Sequence, residues 1–113
     1  MLVDDYQKKA LETADYPDRG HNMVYPALGI AGEGGECADK CKKFWRNRGV
    51  TDGALLTEGE REALVKELGD CSWYIAALAY ELGLTLSHVF QTNLDKLADR
   101  KVRGVIKSEG DTR

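Results

Sequence analysis

The stretch GIAGEGGECADKCKKFW, residues 29–45, decides the fold together with a second one, KELGDCSWYIAALAYELGL, residues 66–84. Apolar residues recur in both at the three- and four-residue spacing of one helix face. The two predicted stripes are Ile30, Gly34, Cys37, Cys41 and Phe44 on the first helix, and Leu64, Leu68, Cys71, Ile75, Leu78 and Leu82 on the second. Strand-like alternation is missing from the 113 residues, so we expect an all-α protein.

Start and stop signals outside these stretches complete four helices. Thr57 and Glu60 form a capping box, Thr85 is a second cap, and Gly83 and Gly104 suit helix C-termini. The predicted helices are 2–14, 26–46, 58–82 and 86–103, the second starting at Pro26 and the first carrying the stripe Val3, Tyr6, Ala10 and Ala14. We expect a four-helix-bundle-like fold, a single domain over residues 1–113, and a loose polar tail at 105–113.

The charge and hydropathy of the chain disfavour a nucleic-acid polymer or a membrane as its partner. The net charge is −3, which disfavours a nucleic-acid polymer as partner, although a bound divalent cation could still attract a polyanion. No apolar run reaches the ~20 residues of a membrane span, and MLVDDYQKK lacks the pattern of a signal peptide. We therefore expect a cytoplasmic protein with no membrane partner.

The three cysteines, Cys37, Cys41 and Cys71, are an odd number in a chain expected to be cytoplasmic. They predict reduced thiols that fill the core as small residues. A zinc site is disfavoured because no CxxC or HxxxH spacing is present.

Two pairs of carboxylates are the candidate ligands of a metal ion. Glu33 with Glu36, and Glu67 with Asp70, are each spaced i, i+3, and the two pairs match at an offset of 34 residues. This spacing puts each pair on one helix face. If the stripes pack together, four carboxylates converge on one flank, where they need a hard cation such as Mg²⁺ or Mn²⁺. The alternative is that they are solvated surface acids.

Glycines surround both pairs. Gly32, Gly34 and Gly35 lie inside the predicted second helix and Gly69 precedes Asp70, at a cost of about 1 kcal/mol each relative to Ala. Such a cost predicts a close approach of backbone or ligand. A loop at this point is the other interpretation.

Several further side chains are candidate substrate contacts. Lys96 and Arg100 suit phosphate oxygens or are surface bases, and Asn93 is either a core amide or a ligand contact. Lys40 could bind phosphate or pair with Glu36. Aromatic and imidazole side chains that could contact a substrate, or simply pack or face solvent, are Trp45, Trp73, Tyr74 and His21.

These motifs, with NLDKLADRKVRGVIKSEGD at 93–111, resemble the MazG-like nucleotide pyrophosphohydrolases of the all-α NTP pyrophosphatase superfamily. The resemblance implies a homodimer or homotetramer that hydrolyses a nucleoside triphosphate to the monophosphate and pyrophosphate with Mg²⁺, for which Mn²⁺ could substitute. The metal-binding acids of the family carry over to Glu33, Glu36, Glu67 and Asp70. Its phosphate-side residues fall on Asn93 and Lys96, with Lys40 and Arg100 as further candidates.

The predicted nucleophile is water, because no activated protein nucleophile and no P-loop is visible. Glu36 is the predicted base, with Glu33 as the second catalytic carboxylate. The sequence departs from the family at Lys66, where relatives often have Glu, and at Gly34, where they often have Ala. The first 23 residues carry no trusted motif, so substrate choice could lie there.

Two rival functions stay open. A non-catalytic helical scaffold, used for dimerisation or protein interaction, would leave the acids solvated. A di-iron carboxylate bundle is disfavoured because that class uses Glu-x-x-His pairs, whereas the i+3 partners here are Glu36 and Asp70.

Overall fold

The architecture is all-α, as predicted. A computed structural model describes residues 1–104, and the tail at 105–113, expected to be loose, lies outside them. The helices are α1 (Val3–Leu11), α2 (Val24–Arg48), α3 (Glu58–Glu81) and α4 (Leu86–Arg103), with a 3₁₀ turn at Gly53–Leu55; residues 1–104 contain no strand. None of these helices is long and apolar enough to cross a bilayer.

The helix signals read from the sequence are confirmed at four ends. Thr57 and Glu60 form a reciprocal capping box at the start of α3, and the Thr85 hydroxyl accepts the His88 N–H at the start of α4. Gly83 and Gly104 follow α3 and α4 with φ of +72° and +71°, the left-handed conformation that glycine adopts without strain.

Two helices differ from their predicted bounds by two or three residues at three ends. The first helix ends at Leu11 rather than 14 because Thr13 turns back and donates its hydroxyl to the Ala10 carbonyl. The second helix runs from 24 to 48 rather than from 26 to 46. Its start is fixed by Asn22, whose side-chain oxygen accepts the N–H groups of Val24 and Tyr25, so Pro26 lies in the first turn without beginning it.

The interface of the antiparallel pair α2/α3 confirms part of each predicted stripe. The stripe residues that are half-buried are Ile30, Cys37 and Phe44 on α2, and Leu64, Cys71 and Leu78 on α3. Glu33 and Lys40 are half-buried, whereas Gly34 and Cys41 beside them are exposed. Glu67 and Tyr74 on α3 are likewise half-buried, while exposed apolar residues next to them are Leu68, Ile75 and Leu82. The acids therefore lie between the helices rather than along a flank of the bundle.

The interpretation of the cysteines as core residues is wrong for Cys41, which is exposed. Cys37 and Cys71 are half-buried and free, which agrees with reduced thiols. Asn93 is also not a core amide. It is exposed, and its stripe neighbours Phe90 and Leu97 remain 46% and 39% exposed.

Helix α1 and buried alanines complete the core. Ala76 and Ala77 of α3 are fully buried, which lets α1 approach closely. Gln7 is buried and bridges the α3–α4 turn, because its amide donates to the carbonyls of Ala76 and Leu84 and its oxygen accepts the Leu86 N–H. No pattern in the sequence pointed to this buried amide.

Candidate active site

Three carboxylates meet where α2 crosses α3. Glu33 contributes one oxygen from α2, and Glu67 and Asp70 contribute one each from α3; these oxygens all lie within 4.8 Å of one another. Glu33 and Glu67 are half-buried and Asp70 is exposed, so the group opens to solvent on the Asp70 side. We call Glu33, Glu67 and Asp70 the acid cluster.

The carboxylates of the acid cluster repel one another, and this repulsion affects the pKa of Glu33. Loss of hydration raises the pKa of Glu33, and a hydrogen bond with the Glu67 carboxyl and the charges of Asp70, Glu67 and Glu36 raise it further. Lys40 supplies partial compensation, since its Nζ lies 3.6 Å from Oε1 of Glu67. This pairing replaces the Lys40–Glu36 pair considered from the sequence.

The donor set fits a divalent metal. Hard cations take carboxylate oxygens, and three acids held together against their repulsion are an arrangement that such an ion stabilises. The residues that could hold Mg²⁺ or Mn²⁺ in this way are Glu33, Glu67 and Asp70.

Glu36 lies outside the cluster of three. It is exposed one turn after Glu33 on α2, yet it is near enough for its charge to raise the pKa of Glu33. The four predicted acids therefore divide into three that already converge and one at their edge.

An aromatic wall borders the acids. A cavity of about 280 Å³ is lined by Glu33, Asp70, Trp73 and Tyr74, which puts two of the predicted substrate contacts beside the acid cluster. Trp73 is also a packing residue, because its indole N–H donates to the Ala10 carbonyl at 2.9 Å. This hydrogen bond holds the Trp73 side of the cavity against α1.

Tyr25 and Tyr16 extend the wall. The two rings stack with centroids 5.1 Å apart, and Trp73 stands edge-on to Tyr16 at 6.4 Å. Tyr25 also contacts the Tyr74 ring at 6.3 Å. The sequence analysis did not single out either tyrosine, although both flank the aromatic-rich loop before α2.

Gly29, rather than the predicted glycines, makes the close approach. An ideal Cβ at Gly29 would lie 2.2 Å from Cδ1 of Tyr74, so only glycine fits beneath that ring. A Cβ at Gly32, Gly34, Gly35 or Gly69 would meet no described atom within 4 Å outside its own helix. The expectation that another part of the chain approaches closely at those four positions is wrong, whereas the approach of a ligand there stays a prediction.

Glu81 ties the loop before α2 to the end of α3. Its carboxylate accepts the Tyr16 hydroxyl at 2.6 Å and the N–H groups of Gly20 and Asn22 at 2.8 and 2.7 Å. Partial burial acts to raise the pKa of Glu81, but these hydrogen bonds outweigh it and leave the pKa below its ordinary value. Because Asn22 caps α2, Glu81 helps to set the register of the two acid-bearing helices.

The predicted contacts on α4 are not at the cavity. Asn93, Lys96 and Arg100 are absent from its lining; Lys96 is half-buried and Arg100 is 5% exposed. Trp45 is 63% exposed and lines a separate apolar groove with Cys41 and Leu64. His21 is exposed in the loop held by Glu81.

Comparison with known proteins assigns the family. The profile of the MazG nucleotide pyrophosphohydrolase domain matches residues 25–104, which span the acid cluster and three of the four helices. The chain belongs to the MazG family. Along its whole length it is 46% identical to the "Gene 37 protein" of Mycobacterium phage L5, over 118 aligned positions that cover all of both sequences. No solved structure matches it.

Proposed function

We propose that this MazG-family chain hydrolyses a (deoxy)nucleoside triphosphate to the monophosphate and pyrophosphate in a Mg²⁺-dependent reaction. The observation that carries the proposal is the convergence of Glu33, Glu67 and Asp70 within 4.8 Å inside a domain matched to nucleotide pyrophosphohydrolases. Like charges this close repel one another, and a bound cation would offset that repulsion.

Each carboxylate has its own role in the proposed reaction. Glu33, Glu67 and Asp70 hold the cation, with Glu36 completing the set from the edge. When bound, Mg²⁺ neutralises triphosphate oxygens and increases the acidity of water. Glu36 is exposed, so its carboxylate is free to take the proton of the attacking water, and Glu33 is the second candidate for that step.

Cationic residues would bind the triphosphate. Lys40 already lies at the acid cluster through its contact with Glu67, and a bound cation would replace it as the partner of that carboxylate. Lys40 could then turn to a phosphate oxygen. Trp73 and Tyr74 line the adjacent cavity and would contact the nucleotide there.

We further propose that the working form is a homo-oligomer in which α4 of one copy serves the acid cluster of another. Apolar side chains of α3 and α4 that are at least a third exposed support an interface on these helices; they include Leu68, Ile75, Phe90 and Leu94. A second copy covering them could bring Asn93 and Lys96 to the substrate, whereas Arg100 is buried within its own chain.

A substrate screen tests the activity. The purified chain is incubated with standard and modified (d)NTPs and Mg²⁺, and monophosphate is resolved from diphosphate products. We expect pyrophosphate release that stops on chelation and returns with Mg²⁺ or Mn²⁺. The scaffold alternative predicts no turnover, and no coupled binding of Mg²⁺ and a non-hydrolysable triphosphate in calorimetry.

A further inference from the structure

Two thiols face each other across the α2/α3 interface. The Sγ atoms of Cys37 and Cys71 are 3.9 Å apart, although 34 residues separate them in the chain. Both residues are half-buried, whereas Cys41 is exposed. Their separation exceeds a disulfide bond, about 2.05 Å long, by roughly 1.9 Å, so a small movement of the helices toward each other is needed to join them.

The thiol pair lies directly beside the acid cluster. Cys37 follows Glu33 by one turn on α2, and Cys71 follows Glu67 by one turn on α3. Glu33 and Glu67 lie close together across the same interface, with one oxygen of each within 4.8 Å of the other. Any movement that brings the two sulfurs together therefore acts on the two helices within one turn of the carboxylates.

We propose that Cys37 and Cys71 form a reversible disulfide that couples thiol redox state to the cation affinity of the acid cluster. The oxidant is a small-molecule disulfide such as oxidised glutathione. One cysteine thiolate attacks a sulfur of that disulfide, giving a mixed disulfide and one glutathione thiolate. The second cysteine then attacks the protein-side sulfur and expels the second glutathione; the two protons lost by the cysteines are taken up by the two released thiolates.

The coupling has a geometric cause. Mg²⁺ requires near-ideal octahedral geometry with short bonds to oxygen, so it tolerates little change in the spacing of its ligands. Drawing the helices together at the sulfurs alters that spacing, and the disulfide form binds the cation more weakly. Linkage makes the effect reciprocal: Mg²⁺ favours the dithiol form by the same factor. This coupling rests on the proposed function, whereas the disulfide does not.

Peptide mapping tests the disulfide without metal or nucleotide. The full chain is equilibrated with oxidised glutathione, alkylated, and cut with trypsin, which separates Cys37 in peptide 20–40 from Cys41 in peptide 41–42 and Cys71 in peptide 67–96. We expect a link between 20–40 and 67–96 in the wild type and in Cys41→Ser, and none in Cys37→Ala. Links only to 41–42, or mixed disulfides only, would overturn the proposal.

Calorimetric titration with Mg²⁺ tests the coupling. We expect the oxidised wild type and oxidised Cys41→Ser to bind at least about fivefold more weakly than their reduced forms, and Cys37→Ala to bind equally under both conditions. Saturating Mg²⁺ should shift the glutathione equilibrium of the pair by the same factor. If the cross-linked and the reduced protein bind Mg²⁺ with equal affinity, the coupling is overturned. If the reduced protein binds no Mg²⁺, the proposed function is overturned, but the disulfide identified by peptide mapping is unaffected.

Discussion

Gly29 of α2 lies directly beneath the ring of Tyr74 on α3, so closely that a Cβ at position 29 would be 2.2 Å from Cδ1 of the tyrosine. Gly29 is one turn before Glu33 and Tyr74 one turn after Asp70. The contact therefore sets the spacing of the two helices immediately beside the acid cluster.

Replacing Gly29 with alanine should separate the helices at this point. Although alanine is the better helix former, overpacking against an aromatic ring costs about 1–3 kcal/mol, so we expect a net loss of stability in urea unfolding and weaker Mg²⁺ binding. Gly59→Ala is the matched control, because a Cβ at Gly59 meets no described atom within 4 Å outside its own helix. Equal stability of Gly29→Ala and the wild type would contradict the packing argument.

Glu33→Gln should make the metal-free protein more stable at neutral pH while removing its response to Mg²⁺. The reason is that partial burial and neighbouring acids raise the pKa of Glu33 in the folded chain, so its charge opposes folding when no cation is bound. Thermal unfolding with and without Mg²⁺ measures both effects. A metal-free variant less stable than the wild type would show that Glu33 is stabilising as a carboxylate.

Glu81 should make stability depend on pH in the acid range. Its pKa is lowered in the folded chain, so it contributes stability that is fully present above the unfolded value, near 4.5, and is lost as pH falls through the folded value. Glu81→Gln should be less stable than the wild type at pH 7, and the difference should shrink steadily as pH falls below about 4.5. Melting temperatures measured from pH 7 to pH 3 give the comparison; a constant difference would rule out this linkage.

Glu36→Gln and Asp70→Asn should both abolish turnover, but they should differ in metal binding. Asp70 belongs to the acid cluster and Glu36 lies at its edge, so Asp70→Asn should weaken Mg²⁺ binding more than Glu36→Gln does. Circular dichroism should show unchanged helix content in both. Full activity of either variant would remove that residue from the mechanism, and equal losses of Mg²⁺ affinity would make Glu36 a full ligand.

The sequence was sufficient for the helices and for the convergence of three of the four acids, and insufficient for the details of the α2/α3 interface. Capping residues such as Thr57 and Thr85 act locally, so their positions could be read directly. Which face of α2 meets α3 depends on long-range contacts: the fit of Tyr74 over Gly29 and the hold of Glu81 on the loop before α2. In the resulting interface Glu33 is half-buried, whereas Cys41 is exposed.

The prediction that residues of α4 contact the substrate could not be completed from the sequence for a related reason. The sequence spacing of Asn93, Lys96 and Arg100 places them along one side of α4. It does not show whether that side faces the acid cluster of the same chain or of another copy. Within one chain they do not line the cavity beside Glu33 and Asp70. Their contribution depends on the proposed assembly.

Mixing two inactive variants tests whether one site draws on two chains. Asp70→Asn removes a cluster acid and Lys96→Gln removes a base of α4, and in a dimer with shared sites each mixed dimer keeps one intact site. After co-refolding in equal amounts, half of the dimers are mixed, so about one quarter of wild-type turnover should return. Each variant refolded alone is the control. If both residues serve the site of their own chain, the mixture stays as inactive as the separate variants, and the shared site is excluded.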